Sequence, residues 1–154
     1  MTGARRPSRP VIAIAGYGMV GHKLVDALVQ RGATRTWDIV VIGEEPVPAY
    51  DRVHLSRLFE GASDLTLPGD GPADPAVSVL TGEQVVTLDR GARVMVTSTG
   101  RRVAYEVAVL ATGSSAFVPP VPGRDAPGCF AYRTVADVEA IRRWAAGRAH
   151  GVVV

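Results

Sequence analysis

Val11-Ile12-Ala13-Ile14-Ala15-Gly16-Tyr17-Gly18-Met19-Val20-Gly21 is the stretch whose reading decides the fold. Its first five residues are all apolar with no polar alternation, the pattern of a short strand covered on both faces, as in parallel sheets. The glycines then fall as Gly-x-Gly-x-x-Gly. Gly16 permits a tight turn, Gly18 lets a pyrophosphate approach the backbone, and Gly21 lets the following helix pack closely on the strand. Met19 and Val20 complete the turn at the helix N-terminus, where phosphates meet free N–H groups and the positive end of the dipole.

From Met19 the period becomes helical. Val20, Leu24, Ala27 and Leu28 recur at three- and four-residue steps, with His22, Lys23 and Asp26 between them, and Gly32 is placed to end the helix. Asp38 to Ile42 reads as a second buried strand, closed by Gly43 and two acids, Glu44 and Glu45. Strand, glycine turn, helix and strand form a βαβ unit, and the acid at its end completes the dinucleotide pattern. A carboxylate at that place accepts hydrogen bonds from ribose hydroxyls and repels a 2′-phosphate. Glu44 follows Gly43 directly and is the better placed; Glu45 is the alternative.

Beyond Pro46 the chain becomes irregular, with a short helix expected around Leu55 to Phe59 and a Gly-, Asp- and Pro-rich loop over residues 61–75. Short β-like runs follow at Val77–Leu80, Gln84–Leu88, Arg93–Thr97, Arg102–Tyr105 and Val107–Leu110. Turns at Asp89-Arg90-Gly91 and Ser98-Thr99-Gly100 make an antiparallel meander of the middle three. Ala111-Thr112-Gly113 closes the last strand, where a small residue and a glycine let a ligand or another backbone come close. Pro119, Pro120 and Pro122 form a stiff, extended connector. A final helix is announced by Thr134 and Asp137 as a capping box, with Val138, Ile141 and Ala145 on one face and Gly147 to close it. His150 to Val154 reads as the start of another buried strand.

The expected class is therefore α/β, a Rossmann-like domain with a parallel sheet and an antiparallel meander. Its expected divisions are a disordered tail over 1–10, the nucleotide-binding domain over 11–123, and a connecting helix plus first strand of a second domain over 124–154. The reading is of a chain truncated before that second dinucleotide domain.

Composition narrows the functional classes. The 154 residues are 47% hydrophobic and 21% charged, a globular composition, and 17 Lys plus Arg against 15 acids leave a formal charge of +2. That surplus is too small to argue for nucleic acid or an anionic membrane. Its only cluster, Arg5, Arg6 and Arg9, sits in the tail. No run approaches a membrane span or a signal core. The single cysteine, Cys129, excludes a disulfide framework and a cysteine cage, so a cytoplasmic address is expected. No His, Cys, Asp and Glu set has metal or nucleophile spacing; no catalytic residue and no metal ligand is assigned. His22 reads as a surface helical residue, Cys129 as a small buried or linker residue, and no role is assigned to His54. Phe117 reads either as a shield for a ring system or as an ordinary packed aromatic.

The run Ala49-Tyr50-Asp51-Arg52-Val53-His54-Leu55-Ser56, with Gly18-Met19-Val20-Gly21-His22-Lys23 and Pro119-Pro120-Val121-Pro122-Gly123, resembles the N-terminal part of the large subunit of assimilatory NAD(P)H nitrite reductases. Those enzymes belong to the FAD-dependent pyridine nucleotide–disulfide oxidoreductase superfamily. The resemblance implies FAD as the nucleotide, with Glu44, alone or together with Glu45, on the adenosine ribose. It implies Arg52 and Arg57 in charge-assisted contact on the flavin side, the Val86 backbone at the adenine, and Ala111, Thr112 and Gly113 lining the cofactor. The implied electron path runs from NAD(P)H through FAD to iron–sulfur and siroheme centres and nitrite, with electron-transfer domains or subunits as partners. The second dinucleotide motif and the cysteines for those centres are not in this chain, and no cysteine pair follows the second strand, which disfavours the disulfide-reductase branch. The resemblance therefore implies that this piece alone does not reduce nitrite. A ferredoxin or rubredoxin reductase, and a non-enzymatic nucleotide-binding module, are the alternatives.

Overall fold

The computed structural model describes residues 9–62, 64–69 and 73–153. The tail expected to be disordered lies, up to Ser8, outside the described residues. Arg9 and Pro10 are tied down: the Arg9 guanidinium donates to Thr34 O (2.8 Å) and Pro10 O accepts from Asp38 N (3.0 Å). The chain forms two compact units, one of residues up to Tyr50 with Leu67–Gly113, the other of Asp51–Thr66 with residues from Ser114 onward. Asp51–Thr66 packs with the distant C-terminal segment.

The first unit is built on a parallel sheet. Strands β1 (Val11–Ala15), β2 (Asp38–Gly43), β3 (Val77–Thr81) and β7 (Val107–Leu110) lie in the order β3-β2-β1-β7, and every pairing between them is parallel. Because side chains alternate across a strand, β1 and β2 feed two cores. Ile12, Ile14, Ile39 and Val41 face helix α1 (Met19–Gln30), where Val25, Leu24 and Leu28 meet them. Ala13, Ala15 and Ile42 face the other way, onto Met95, Val103 and Tyr105. Met95 and Val103 belong to, and Tyr105 directly follows, the antiparallel meander of β4 (Val85–Asp89), β5 (Val94–Thr97) and β6 (Arg102–Ala104). Ile14, Ile39, Ile42, Val25 and Val41 are fully buried, and each contributes roughly 1.5–3 kcal/mol relative to exposure.

Helix α1 departs from its expected face. Val20 is 71% exposed, whereas His22, read as a surface residue, is 7% exposed and Asp26 is buried. The helix seats Gly21 and Val25 on the sheet, while the 68–69 segment covers the neighbouring stripe. His22 Nε2 donates to Pro68 O (3.2 Å), and Gly69 lies so close to the Asp26 carboxylate that a Cβ there would come within 2.8 Å of Oδ1. The Asp26 carboxylate also accepts from Lys23 Nζ (3.1 Å) and Gln30 Nε2 (3.0 Å).

In the second unit a 3-10 helix spans Arg52–Leu58, beginning earlier than expected because Asp51 caps it, accepting from Val53 N and His54 N. Helix α2 (Val135–Ala145) starts with the anticipated capping box: Thr134 Oγ1 accepts from Asp137 N (3.1 Å) and Asp137 Oδ2 from Thr134 N (2.8 Å). Val138 is buried, but Ala145, expected on the same face, is exposed at the helix end. Thr134→Ala is expected to destabilise α2 by about 1 kcal/mol. Faster amide exchange confined to the first turn of α2 is the measurement that checks it.

The strand expected at His150–Val154 does not form in the described part. Residues 150–153 pair with nothing and Val153 is 100% exposed; a strand needs a neighbouring ladder, and local apolar character supplies none. Phe117, at 86% exposure, is not a packed core aromatic.

Candidate dinucleotide site

The C-terminal ends of β1 and β7 are the topological switch point of the sheet: the chain moves outward from β1 through β2 to β3, then returns to place β7 on β1's other side. Ligands of such sheets bind in the crevice at that point. Each glycine of the turn does a separate task there. Gly16 has φ of +111°, and a Cβ on it would lie 2.1 Å from Ala111 O and 2.8 Å from Thr112 N. A Cβ on Gly21 would lie 2.1 Å from Gly16 O. These two glycines let β1, β7 and α1 touch through their backbones. Gly18 differs: nothing lies within 4 Å of where its Cβ would be.

That open space adjoins the start of α1. Gly18 is the N-cap with no side-chain cap, and no acid occupies the first turn. His22 N donates to Gly18 O (2.9 Å) as the first intrahelical bond, which leaves the N–H groups of Met19, Val20 and Gly21 without i−4 acceptors. An uncapped helix start with space in front of it suits an anion. The residues present thus fit a pyrophosphate.

The two acids separate. Glu45 Oε2 accepts from Tyr50 Oη (2.7 Å). Glu44 is exposed at the strand tip, and its carboxylate has no hydrogen-bond or ion-pair partner among the described residues. Gly43, just before it, is required by the turn, since a Cβ would sit 2.8 Å from Tyr17 Cβ. Burial pushes the Tyr17 phenol above its ordinary pKa. Met19 is half-buried beside the exposed Val20, and Ala111 N donates to Ala15 O (2.7 Å), which brings Ala111-Thr112-Gly113 against the turn. Thr112 and Gly113 are exposed there. Val86 lies on the edge strand β4 within the register shift between Val85 and Thr87. It is the extra residue of a bulge, a device that interrupts the ladder and re-aims the backbone.

Arg52 and Arg57 stand in the second unit. The Arg52 guanidinium donates to Arg133 O (2.9 Å) and lines a shallow cleft of about 330 Å³ with Val53, Leu55, Ser56, Tyr132 and Arg133. Arg57 is exposed; hydrogen bonds from Thr66 hold the Asp64 carboxyl below its usual range, and the Arg57 charge adds a smaller contribution. His54 Nδ1 donates to Asp51 Oδ2 (2.7 Å), the main cause of a lowered Asp51 pKa. The structure thus gathers Gly16, Gly18, Met19, Val20, Gly21, Glu44, Glu45, Val86, Ala111, Thr112 and Gly113 in one unit. Among the described residues no group of His, Cys, Asp and Glu could hold a metal ion, and no helix is long and apolar enough to cross a membrane.

Sequence reading missed one polar cluster. Glu83 is buried, and its carboxylate accepts from Thr97 Oγ1 (2.7 Å), Thr99 Oγ1 (2.9 Å) and Arg101 Nε (3.0 Å). The Thr97 bond is the first cause of a Glu83 pKa below the ordinary value. The spacing of Thr97, Thr99 and Arg101 at every second residue was the signal that could have found it.

Comparison with known proteins agrees with this geometry. A family model described as pyridine nucleotide-disulphide oxidoreductase matches residues 10–154. The nitrite reductase (NADH) large subunit of Escherichia coli (strain K12) is 41% identical over 150 residues, 96% of this chain and 18% of that protein. An assimilatory nitrate reductase electron transfer subunit of Bacillus subtilis (strain 168) is 31% identical over 138 residues, 87% of this chain and 18% of its own length. Among solved structures, a ferredoxin reductase for the CYP199A2 system from Rhodopseudomonas palustris matches with a TM-score of 0.75 at 26% identity, over 88% of this chain and 34% of that one. The chain spans less than a fifth of these curated relatives and about a third of the solved reductase. Its match over residues 10–154, with nitrite reductase homologues, places it in a family: the chain belongs to the pyridine nucleotide-disulphide oxidoreductases.

Proposed function

We propose that the chain is the FAD-binding portion of a flavin-dependent NAD(P)H oxidoreductase of the nitrite reductase large-subunit type. The observation that carries this reading is the empty space at Gly18 before an uncapped, acid-free helix start, in the same unit as the exposed Glu44, whose carboxylate has no partner among the described residues. In this reading the N–H groups of Met19, Val20 and Gly21 bind the pyrophosphate, Glu44 accepts from the ribose hydroxyls, and the Val86 backbone meets the adenine. Ala111, Thr112 and Gly113 form the wall across from the turn. Glu45, held by Tyr50, shapes the loop rather than binding. Arg52 and Arg57 enter through the resemblance, as charge-assisted partners on the flavin side.

FAD, when bound, supplies the hydride and electron chemistry; the residues of this chain bind and orient it. NAD(P)H, iron–sulfur and siroheme centres belong to the parent enzyme in this reading, as does its cytoplasmic address. The proposed partners are that enzyme's electron-transfer domains or subunits.

Titrating the purified chain with FAD and following flavin fluorescence tests the reading. Glu44→Ala is expected to weaken FAD binding at least about tenfold, the loss of hydrogen bonds to a charged acceptor. A folded wild-type chain that takes up no FAD would falsify the cofactor assignment. Unchanged affinity in Glu44→Ala would move the ribose contact elsewhere. A ferredoxin-reductase reading is favoured by the solved neighbour; reduction of a ferredoxin, rather than of nitrite, by the complete parent protein separates the two.

A further inference from the structure

The geometry points to Glu83 as a positioning residue for the ribose-binding carboxylate of Glu44. This rests on the FAD reading above. Two backbone bonds bracket Glu44: Glu83 N donates to Gly43 O (3.0 Å) and Gly82 N donates to Glu45 O (3.0 Å). The carbonyl groups of Gly43 and Glu45, the residues on either side of Glu44, are therefore fixed by one two-residue hook, Gly82-Glu83. Gly82 adopts a left-handed φ of +73° to make it, a conformation that favours glycine.

The hook is anchored by the Glu83 side chain. Its carboxylate receives Thr97 Oγ1, Thr99 Oγ1 and Arg101 Nε, the last reaching both oxygens (3.0 and 3.2 Å). Ser98 N donates to Gln84 O (2.8 Å) and Gln84 N to Ser98 Oγ (3.2 Å), fastening the next residue to the same turn. A buried carboxylate costs desolvation, and that cost is offset here only by a full set of donors. Glu44's own side chain has no partner among the described residues, so only its backbone fixes where the side chain starts and which way its Cβ points. The meander thereby transmits its rigidity to the strand tip, and a backbone held in place before the ligand arrives spares part of the ordering entropy of binding.

Glutamine at position 83 keeps the shape but turns one oxygen into a donor, which cannot receive all of the present partners. In FAD titrations of the full chain, Glu83→Gln is expected to weaken binding about tenfold in the wild-type background and less than twofold in the Glu44→Ala background. Such non-additivity is the signature of one residue acting through another, and a purely structural role would not produce it. Arg101→Gln, which leaves Glu83 in place, is expected to show the same pattern more weakly and serves should Glu83→Gln fail to fold. An equal loss in both backgrounds, or no loss in either variant, overturns the positioning role. Failure of the wild-type chain to bind FAD instead overturns the cofactor reading beneath it.

Discussion

Gly16→Ala is expected to cost the sheet unit about 2–6 kcal/mol, the sum of two independent penalties. A left-handed backbone at a non-glycine residue costs about 1–3 kcal/mol, and overpacking costs a similar amount. The φ of +111° and the 2.1 Å approach to Ala111 O make both apply. The obstacle is a carbonyl in the backbone beside β1, so no rotamer change relieves it; the ends of β1 and β7 must part. Set against a typical domain stability of about 5–15 kcal/mol, this is a large share. The two tryptophans lie in different units, Trp37 in the sheet unit and Trp144 in α2. Urea unfolding followed by Trp37 fluorescence in a Trp144→Phe background reads the sheet unit alone. A midpoint equal to that of the parent refutes the backbone-contact role.

The second large effect has the opposite signature. Gly18→Val is expected to lower FAD affinity at least about a hundredfold while shifting stability by about 1 kcal/mol or less, the ordinary cost of a poor N-cap. Its backbone is extended, with φ −93° and ψ −163°, which valine accepts readily. Nothing lies within 4 Å to collide with a Cβ. The branched side chain instead occupies the space through which a pyrophosphate would reach the helix N–H groups, and excluding those charge-assisted bonds removes several kcal/mol of binding. FAD titration and urea unfolding on the same preparation check both halves. Intact binding in a folded Gly18→Val protein would place the phosphates elsewhere.

These contrasting glycines show what was legible in the sequence. The strand–turn–helix order, the meander and the Thr134–Asp137 capping box are local patterns, and each formed where its residues announced it. The nitrite reductase resemblance was carried by the short run from Ala49 to Ser56 and stands with the relatives found. Long-range placement was not legible. His22 and Asp26 looked like a solvated face because the segment that covers them, Pro68 and Gly69, is some forty residues downstream. Glu83 drew no reading because its donors come from the far side of a hairpin. Val152 and Val153 had strand composition but, among the described residues, no strand to pair with. Val86 was assigned through resemblance, and the bulge around it was not written in any local pattern.

The position of β7 has a consequence for the order of assembly. Ile12 pairs with Val107, about 95 residues later in the chain, and that pairing must close a long loop before it is rewarded. The first wall of the nucleotide cradle, β1 with α1, is made early during synthesis. Its second wall, Ala111 to Gly113, comes last. The crevice thus lacks its second wall until nearly the whole sheet unit has emerged, and its completion coincides with the long-range closure of β7 on β1.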